Sequence, residues 1–221
     1  MRKVIKAIMQ GETRPQVLCS FVHARITNKH TRQTITDSLS GVVKGVDIFM
    51  LRQYMDELEL LEKQEQECLN ALSTIADQYF EKEVALLMTI PGVQKQSAMT
   101  ILAELGADLK MFATAAALVG WAGLRPRNEE SAGKIKSRKT LHGNKFLRVI
   151  IVQCAWAASR TKNSRLAQKF RYLSSRMKSQ KALIAIARKL LVIIWNVLSK
   201  KEAFDPKRGL NKKTRIVQVL N

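Results

Sequence analysis

The sequence predicts a mainly α protein, with a long coiled-coil-like helical arm followed by a basic helical domain that has a helix-hairpin-helix-like entry. Three observations carry this expectation. Apolar residues recur three and four apart through most of the chain. No alternating strand pattern of convincing length appears. The positive charge is confined to one part: residues 1–86 hold 11 Lys/Arg and 12 Asp/Glu, whereas residues 87–221 hold 27 Lys/Arg and 6 Asp/Glu.

At 221 residues, 46% hydrophobic and 25% charged, the chain has the length and composition to bury a core. Four prolines and ten glycines exclude collagenous and low-complexity classes. A net charge of +20 implies a polyanionic partner, with nucleic acid ahead of a membrane surface. Between Ser131 and Lys201 there is no acidic residue, whereas a solvated helical face ordinarily mixes signs. Cys19, Cys68 and Cys154 are odd in number and far apart, which argues against a disulfide framework or thiolate metal site. His23, His30 and His142 are equally scattered, so no structural zinc is expected.

Taken in order, residues 1–44 read as two short helices separated by Gly11 and Pro15. Asp47 is placed to cap a helix running from Ile48 to Phe80. Its apolar seam is Ile48, Leu51, Met55, Leu58, Leu61, Glu65, Cys68, Leu72, Ile75 and Tyr79, with a stammer at Leu58–Leu61 and one polar member. That seam fits an arm that makes a homo-oligomer, with an amphipathic helix packed on its own domain as the alternative. The expected organisation is a helical linker and dimerising arm over 1–84, a C-terminal domain over 85–200 and a basic tail over 201–221.

The stretch LLMTIPGVQKQSAMTILAELG resembles a helix-hairpin-helix. Such a turn offers backbone N–H groups at a helix N-terminus to a DNA phosphate, which would engage Gly92, with Lys95 adding charge. Gln94 stands where that motif usually has its second glycine, so an ordinary inter-helix connection is the alternative. After a glycine-punctuated basic segment, helices are expected over about 144–160, 166–177 and 180–200. The most apolar of them is split by Arg188 and Lys189, and its charge-free part falls short of the roughly 20 residues that span a bilayer. The N-terminus lacks the apolar run of a signal peptide. No membrane partner and a cytoplasmic location are therefore expected.

The segment GLRPRNEESAGKIKSRKTLHGNKFLR, Gly123 to Arg148, places one serine, Ser131, among many cations. A serine before Ala-Gly is ordinarily a turn or cap residue. A serine that attacks a phosphodiester instead needs help losing its proton, and positive groups to hold the charge that builds on phosphorus. Lys134, Lys136, Arg138, Lys139, Lys145 and Arg148 follow within 17 residues. His142 is a candidate proton carrier, with a turn-facing polar histidine as the alternative reading.

Four blocks in order, IPGVQKQSAMTILAELG, FATAAALVGWAGLRPRNEESAGK, HGNKFLRVIIVQCAWAA and KALIAIARKLL, carry a resemblance. Over about residues 85–200 the chain resembles the C-terminal domain of bacterial insertion-sequence transposases of the one-ten/one-sixteen group, which includes pilin-gene inverting recombinases. The arm is similar to the linker helices of the same proteins. The family pattern falls on Gly123, Leu124, Pro126 and Ser131, then Gly143, Asn144, Lys145, Leu147 and Arg148.

The resemblance implies that Ser131 is the nucleophile of DNA strand exchange, with Lys134, Arg138 and Lys139 stabilising the transition state. Gly92, Lys95, Lys136, Asn144, Lys145 and Arg148 would hold nucleic acid. The group is also associated with a structured guide RNA, and a charge of +20 is compatible with RNA as well as DNA. Full-length members begin with an acidic ribonuclease-H-like domain whose carboxylates hold Mg²⁺. No such domain is found here, so no metal or other cofactor is expected in this chain, and a truncated transposase is the leading expectation. A non-catalytic nucleic-acid-binding remnant or subunit is the alternative, and an adapter for acidic proteins is a third.

Overall fold

A computed structural model describes residues 1–126, 129–131, 134–137, 140 and 142–206, with backbone alone at 129–131 and 134–137. The chain divides into two compact units, Met1–Asn70 and Ala71–Asn221. The mainly α expectation holds, with one short antiparallel hairpin added to it.

In the first unit, residues 1–44 form four short helices rather than two. They are α1 (Arg2–Met9), α2 (Pro15–Ser20), α3 (Ala24–Thr27) and α4 (Arg32–Ser38). Gly11, at φ +89°, releases the chain from α1, and Pro15 starts α2 at the position where its missing N–H costs nothing. The two extra breaks are made by caps. His23 Nδ1 accepts from Arg25 N at 3.0 Å, and Thr31 Oγ1 accepts from Thr34 N at 3.2 Å. Val4, Ala7 and Leu18 form the core, with Ile8, Val22 and Leu39 packed against them.

Helix α5 (Gly45–Tyr79) covers the expected long helix. It begins before Asp47, whose carboxylate reaches back from the first turn to accept from Lys44 N at 2.8 Å. Its seam is covered only in its first part. Met55 is buried and Ile48, Leu51 and Leu58 are half-buried, whereas Leu61, Leu72, Ile75 and Tyr79 are exposed. The helix ends at Tyr79, where Phe80 leaves helical geometry at φ −133° before α6 begins.

The second unit contains α6 (Glu81–Met88), α7 (Lys95–Leu105), α8 (Ala115–Trp121), β1 (Glu129–Ser131), β2 (Lys134–Ser137), α9 (Lys145–Arg160), α10 (Arg165–Ser174) and α11 (Ser179–Lys200). Helix α11 is the hub, touching α6, α8, α9 and α10. Ala182, Ile186, Ala187, Leu190, Leu191 and Ile194 are buried along it, while Arg188 and Lys189 lie on its open side. By length and composition, with an 18-residue window of mean hydropathy 1.9, α11 is apolar enough to cross a membrane. Its contacts explain that apolarity instead: this helix supplies the centre of a core that includes Leu87, Ile101, Leu118, Leu147 and Ile151.

The connection between α6 and α7 is where a phosphate-binding turn was expected. Gly92 sits there at φ +87°, and its Cα presses on α9, so that an added Cβ would lie 2.5 Å from Ala158 N and 2.9 Å from Ala158 Cα. Gly92 thus permits a close backbone approach inside the core. At the start of α7, Gln94 N donates to Ser97 Oγ at 2.8 Å, and Ser97 Oγ donates in turn to Gln94 O.

Candidate nucleic-acid interface and serine hairpin

Antiparallel pairing of β1 with β2 matches Glu130 with Ile135 and Ser131 with Lys134, with an irregularity between Glu129 and Glu130. Ser131 is therefore the last residue of β1 and faces the first residue of β2 in register. Two residues separate them, the shortest common hairpin connection. The strands are short and local, and their sequence has no sustained apolar alternation, so periodicity could not find them. Arg138 and Lys139 lie outside the described residues.

What holds the hairpin is its neck. Gly123, at φ +66°, follows the last turn of α8; its N–H reaches Gly120 O at 3.0 Å, and Leu124 N reaches Val119 O at 3.1 Å. This is a Schellman ending, with a glycine in the left-handed position and the next residue, Leu124, buried as its apolar lock. The chain then passes Pro126, which bridges Thr140 across the neck. On the return side Gly143 lies so close to the α8 exit that a Cβ would stand 2.5 Å from Trp121 O, and Asn144 N donates to the same carbonyl at 3.1 Å.

Two side chains lock this junction to the helices. Asn144 Oδ1 accepts from Leu147 N at 2.8 Å and so caps α9, while its Nδ2 donates to Glu104 at 2.6 Å. Arg148, one turn into α9, donates from Nη1 to Gly123 O at 3.1 Å and from Nη2 to Thr140 Oγ1 at 2.9 Å. One guanidinium thus ties both ends of the hairpin segment to one helix, using the fork geometry that a lysine lacks. Glu104 was not singled out in the sequence, where a lone glutamate at the end of α7 carries no local signal.

Among the residues expected to hold nucleic acid, Asn144 and Arg148 are thus engaged at the neck and Gly92 against α9. Lys95 Nζ pairs with Asp77 at 2.8 Å, and that contact holds the Asp77 carboxyl below its ordinary range. Lys145, on the outer side of the first turn of α9, is exposed, and so is His142. Lys134 and Lys136 lie on β2. Among the described residues no three His, Cys, Asp or Glu side chains cluster as a metal site.

These features define a class: a compact helical domain whose shared motif residues are spent on presenting a short, cation-rich hairpin. The sequence pattern of the Transposase IS116/IS110/IS902 family matches residues 84–171, which include the α6–α7 turn, the hairpin neck and α9. Residues 84–171 are thus similar to that transposase family. The pilin gene-inverting proteins of Moraxella bovis and Moraxella lacunata are each 28% identical to it over 184 residues, covering 82% of this chain and 54% of theirs. The transposase for insertion sequence element IS1111A of Coxiella burnetii is 29% identical over 122 residues, 53% of this chain and 33% of its own. The chain spans about half the length of the pilin gene-inverting proteins it matches.

Proposed function

We propose that this chain binds DNA and takes part in transposase-type strand exchange, with Ser131 as the nucleophile. One observation supports this most. The motif residues Gly123, Leu124, Gly143, Asn144 and Arg148 all serve to fix the two ends of the segment that carries Ser131. Evenly spread backbone charge would serve a passive DNA-binding surface as well, and would need no such neck.

In the proposed step Ser131 Oγ forms a bond to a DNA phosphorus, and the bond from that phosphorus to one deoxyribose oxygen breaks. The proton lost by the serine ends on the departing sugar hydroxyl. The phosphoserine link conserves the phosphodiester energy, so a hydroxyl of the partner strand reverses the step without a nucleotide cofactor. Lys134, Arg138 and Lys139 stabilise the charge of the five-coordinate phosphorus. Lys136 and Lys145 hold flanking phosphates, while Gly92, Lys95, Asn144 and Arg148 shape the surface. DNA is the partner this reading requires. A structured RNA fits the same charge, and self-association fits the exposed Leu72, Ile75 and Tyr79 on α5.

The test is trapping of a covalent protein–DNA adduct on a denaturing gel with labelled junction DNA. The expected result is an adduct that vanishes in Ser131→Ala while DNA affinity stays nearly unchanged. Salt-sensitive binding without any adduct, even when relatives' remaining segments are supplied in trans, would reduce the chain to a DNA-binding module. Replacing Lys134, Arg138 and Lys139 together should lower the slope of log K against log salt by about 2 to 3.

A further inference from the structure

Helix α9 has two faces, and only one belongs to the core. Leu147, Ile151, Cys154, Ala155 and Ala158 are buried. Around the other side Phe146, Val149, Gln153, Trp156 and Arg160 follow at steps of three, four, three and four, and all are exposed. Phe146 is 73% exposed and Trp156 42%. At one end of the strip the Arg160 guanidinium lies over the Trp156 indole at 3.9 Å, and Phe170 of α10 meets that indole edge-on at 6.4 Å. The indole is thus held in place with a cation layered on it.

We propose that this strip is a stacking platform for an unpaired DNA strand. Phe146 and Trp156 stand ten residues apart, about 15 Å along the helix, or roughly four nucleotide steps of one strand. Rings at both ends offer faces to bases, and the guanidinium on Trp156 extends the platform with a second planar group. Lys145 and Arg160 supply charge for phosphates at the two ends. From residue 132 to 200 the sequence has no carboxylate, so α9, α10 and α11 present cations only; Glu104 of α7 meets the helix at its N-cap, on Asn144.

That charge pattern selects the occupant. A second copy of the chain, docked by the same face, would bring Arg160 and Lys145 of both copies together with no carboxylate from those helices to separate them. A duplex offers phosphates but keeps its bases stacked and out of reach. A single strand offers both phosphates and open ring faces. The inference rests on the reading of the chain as DNA-acting, and adds that this face takes the strand after its bases are unpaired.

The test is intrinsic tryptophan fluorescence of the full chain titrated at low salt with an oligo-dT strand, a duplex of equal length, and oligo-U. Oligo-dT should quench the emission, and Trp156→Leu should abolish the quench while Trp121 and Trp195 still emit. Oligo-dT affinity should fall about tenfold in Trp156→Leu and again in Phe146→Ser, with duplex affinity kept within about twofold. Phe146→Ser leaves the indole cluster intact, so its binding loss is free of any local collapse around Trp156.

The proposal is overturned if both variants weaken duplex and single strand equally, which would make the strip a backbone contact. It is overturned if oligo-U is held more tightly through Trp156, or if the variants change only the sedimentation of the free protein. Failure of every nucleic acid to bind would remove the DNA-acting reading itself. Duplex binding with an unquenched, Trp156-independent oligo-dT complex would remove the platform alone.

Discussion

Gly11 and Gly92 share a positive φ, at +89° and +87°, and differ in what surrounds it. Gly11, in the first unit, would meet nothing within 4 Å if it carried a Cβ; Gly92, in the second, would drive one into the backbone of α9. The units differ in the same way. In Met1–Asn70 a small core is supplemented by exposed ion pairs, among them Arg2 with Glu62 and Lys6 with Glu59 at 2.9 Å. In Ala71–Asn221 an extended apolar core centred on α11 holds together a segment of nearly one sign of charge. Mixed charge lets a unit satisfy its cations internally. One-sided charge leaves cations open to an outside anion, and tight packing must then resist the self-repulsion.

The sharpest way to break this contrast is to add the same methyl group to both glycines. Gly92→Ala should destabilise the second unit by about 3 kcal/mol or more, through overpacking added to a left-handed backbone. Gly11→Ala has only the backbone strain and should cost about 1 kcal/mol. Urea unfolding monitored separately for the two units reads both, and equal losses would sink the packing argument.

Next in size is Arg148→Lys, which loses the fork that reaches Gly123 O and Thr140 Oγ1 together and should cost about 1–3 kcal/mol. Limited proteolysis should then cut the Gly123–Asn144 segment faster, while the rest of α9 stays protected from hydrogen exchange. An unchanged cleavage rate would mean the guanidinium does not hold the neck.

Asn144→Ala should cost about 1 kcal/mol as a lost N-cap. Asn144→Asp keeps the cap but sets a second carboxylate against Glu104. Its melting temperature should fall below that of the alanine variant near neutral pH and recover on acidification; the opposite order would show that the contact with Glu104 carries no weight.

The smallest effects concern paired carboxylates. Lys201 Nζ lies 2.7 Å from Glu83 and holds that carboxyl below its ordinary range, as Lys95 does for Asp77. In the first unit Arg14 lowers Glu12 to about 2. Each lowered value means the folded state binds its proton less readily than the unfolded chain. The stabilisation is therefore complete above the ordinary carboxylate range and is lost as pH falls below it, toward about 2 in the case of Glu12. Thermal melts across that range should show a shallow decline, shallower still in Lys201→Met and in high salt. A steep decline that survives both changes would point to other groups.

How much of this was legible beforehand differs between elements. The arm and the three C-terminal helices could be read because an amphipathic helix repeats its signal every turn; their ends came within a few residues, α10 starting at Arg165 and ending at Ser174 rather than Met177. The two extra helices of the first unit were missed because a four-residue helix and a seven-residue helix have too few turns to show periodicity, although Thr31 and His23 stood in capping positions. The family blocks named the neck residues, yet Asn144 and Arg148 were expected to hold nucleic acid, whereas in the fold they bond to Glu104, Gly123 and Thr140.

By itself the sequence determined what is local or additive: helical periodicity, the glycines that permit left-handed turns, and the concentration of charge after residue 86. Only the tertiary structure decided which glycine needs room and which side of α9 faces solvent. It also brought Glu104 to Asn144, 40 residues away in sequence. These are matters of distance between segments remote along the chain. Local propensity is blind to them, because a side chain's preferences report its own backbone and not the neighbour that packing will bring.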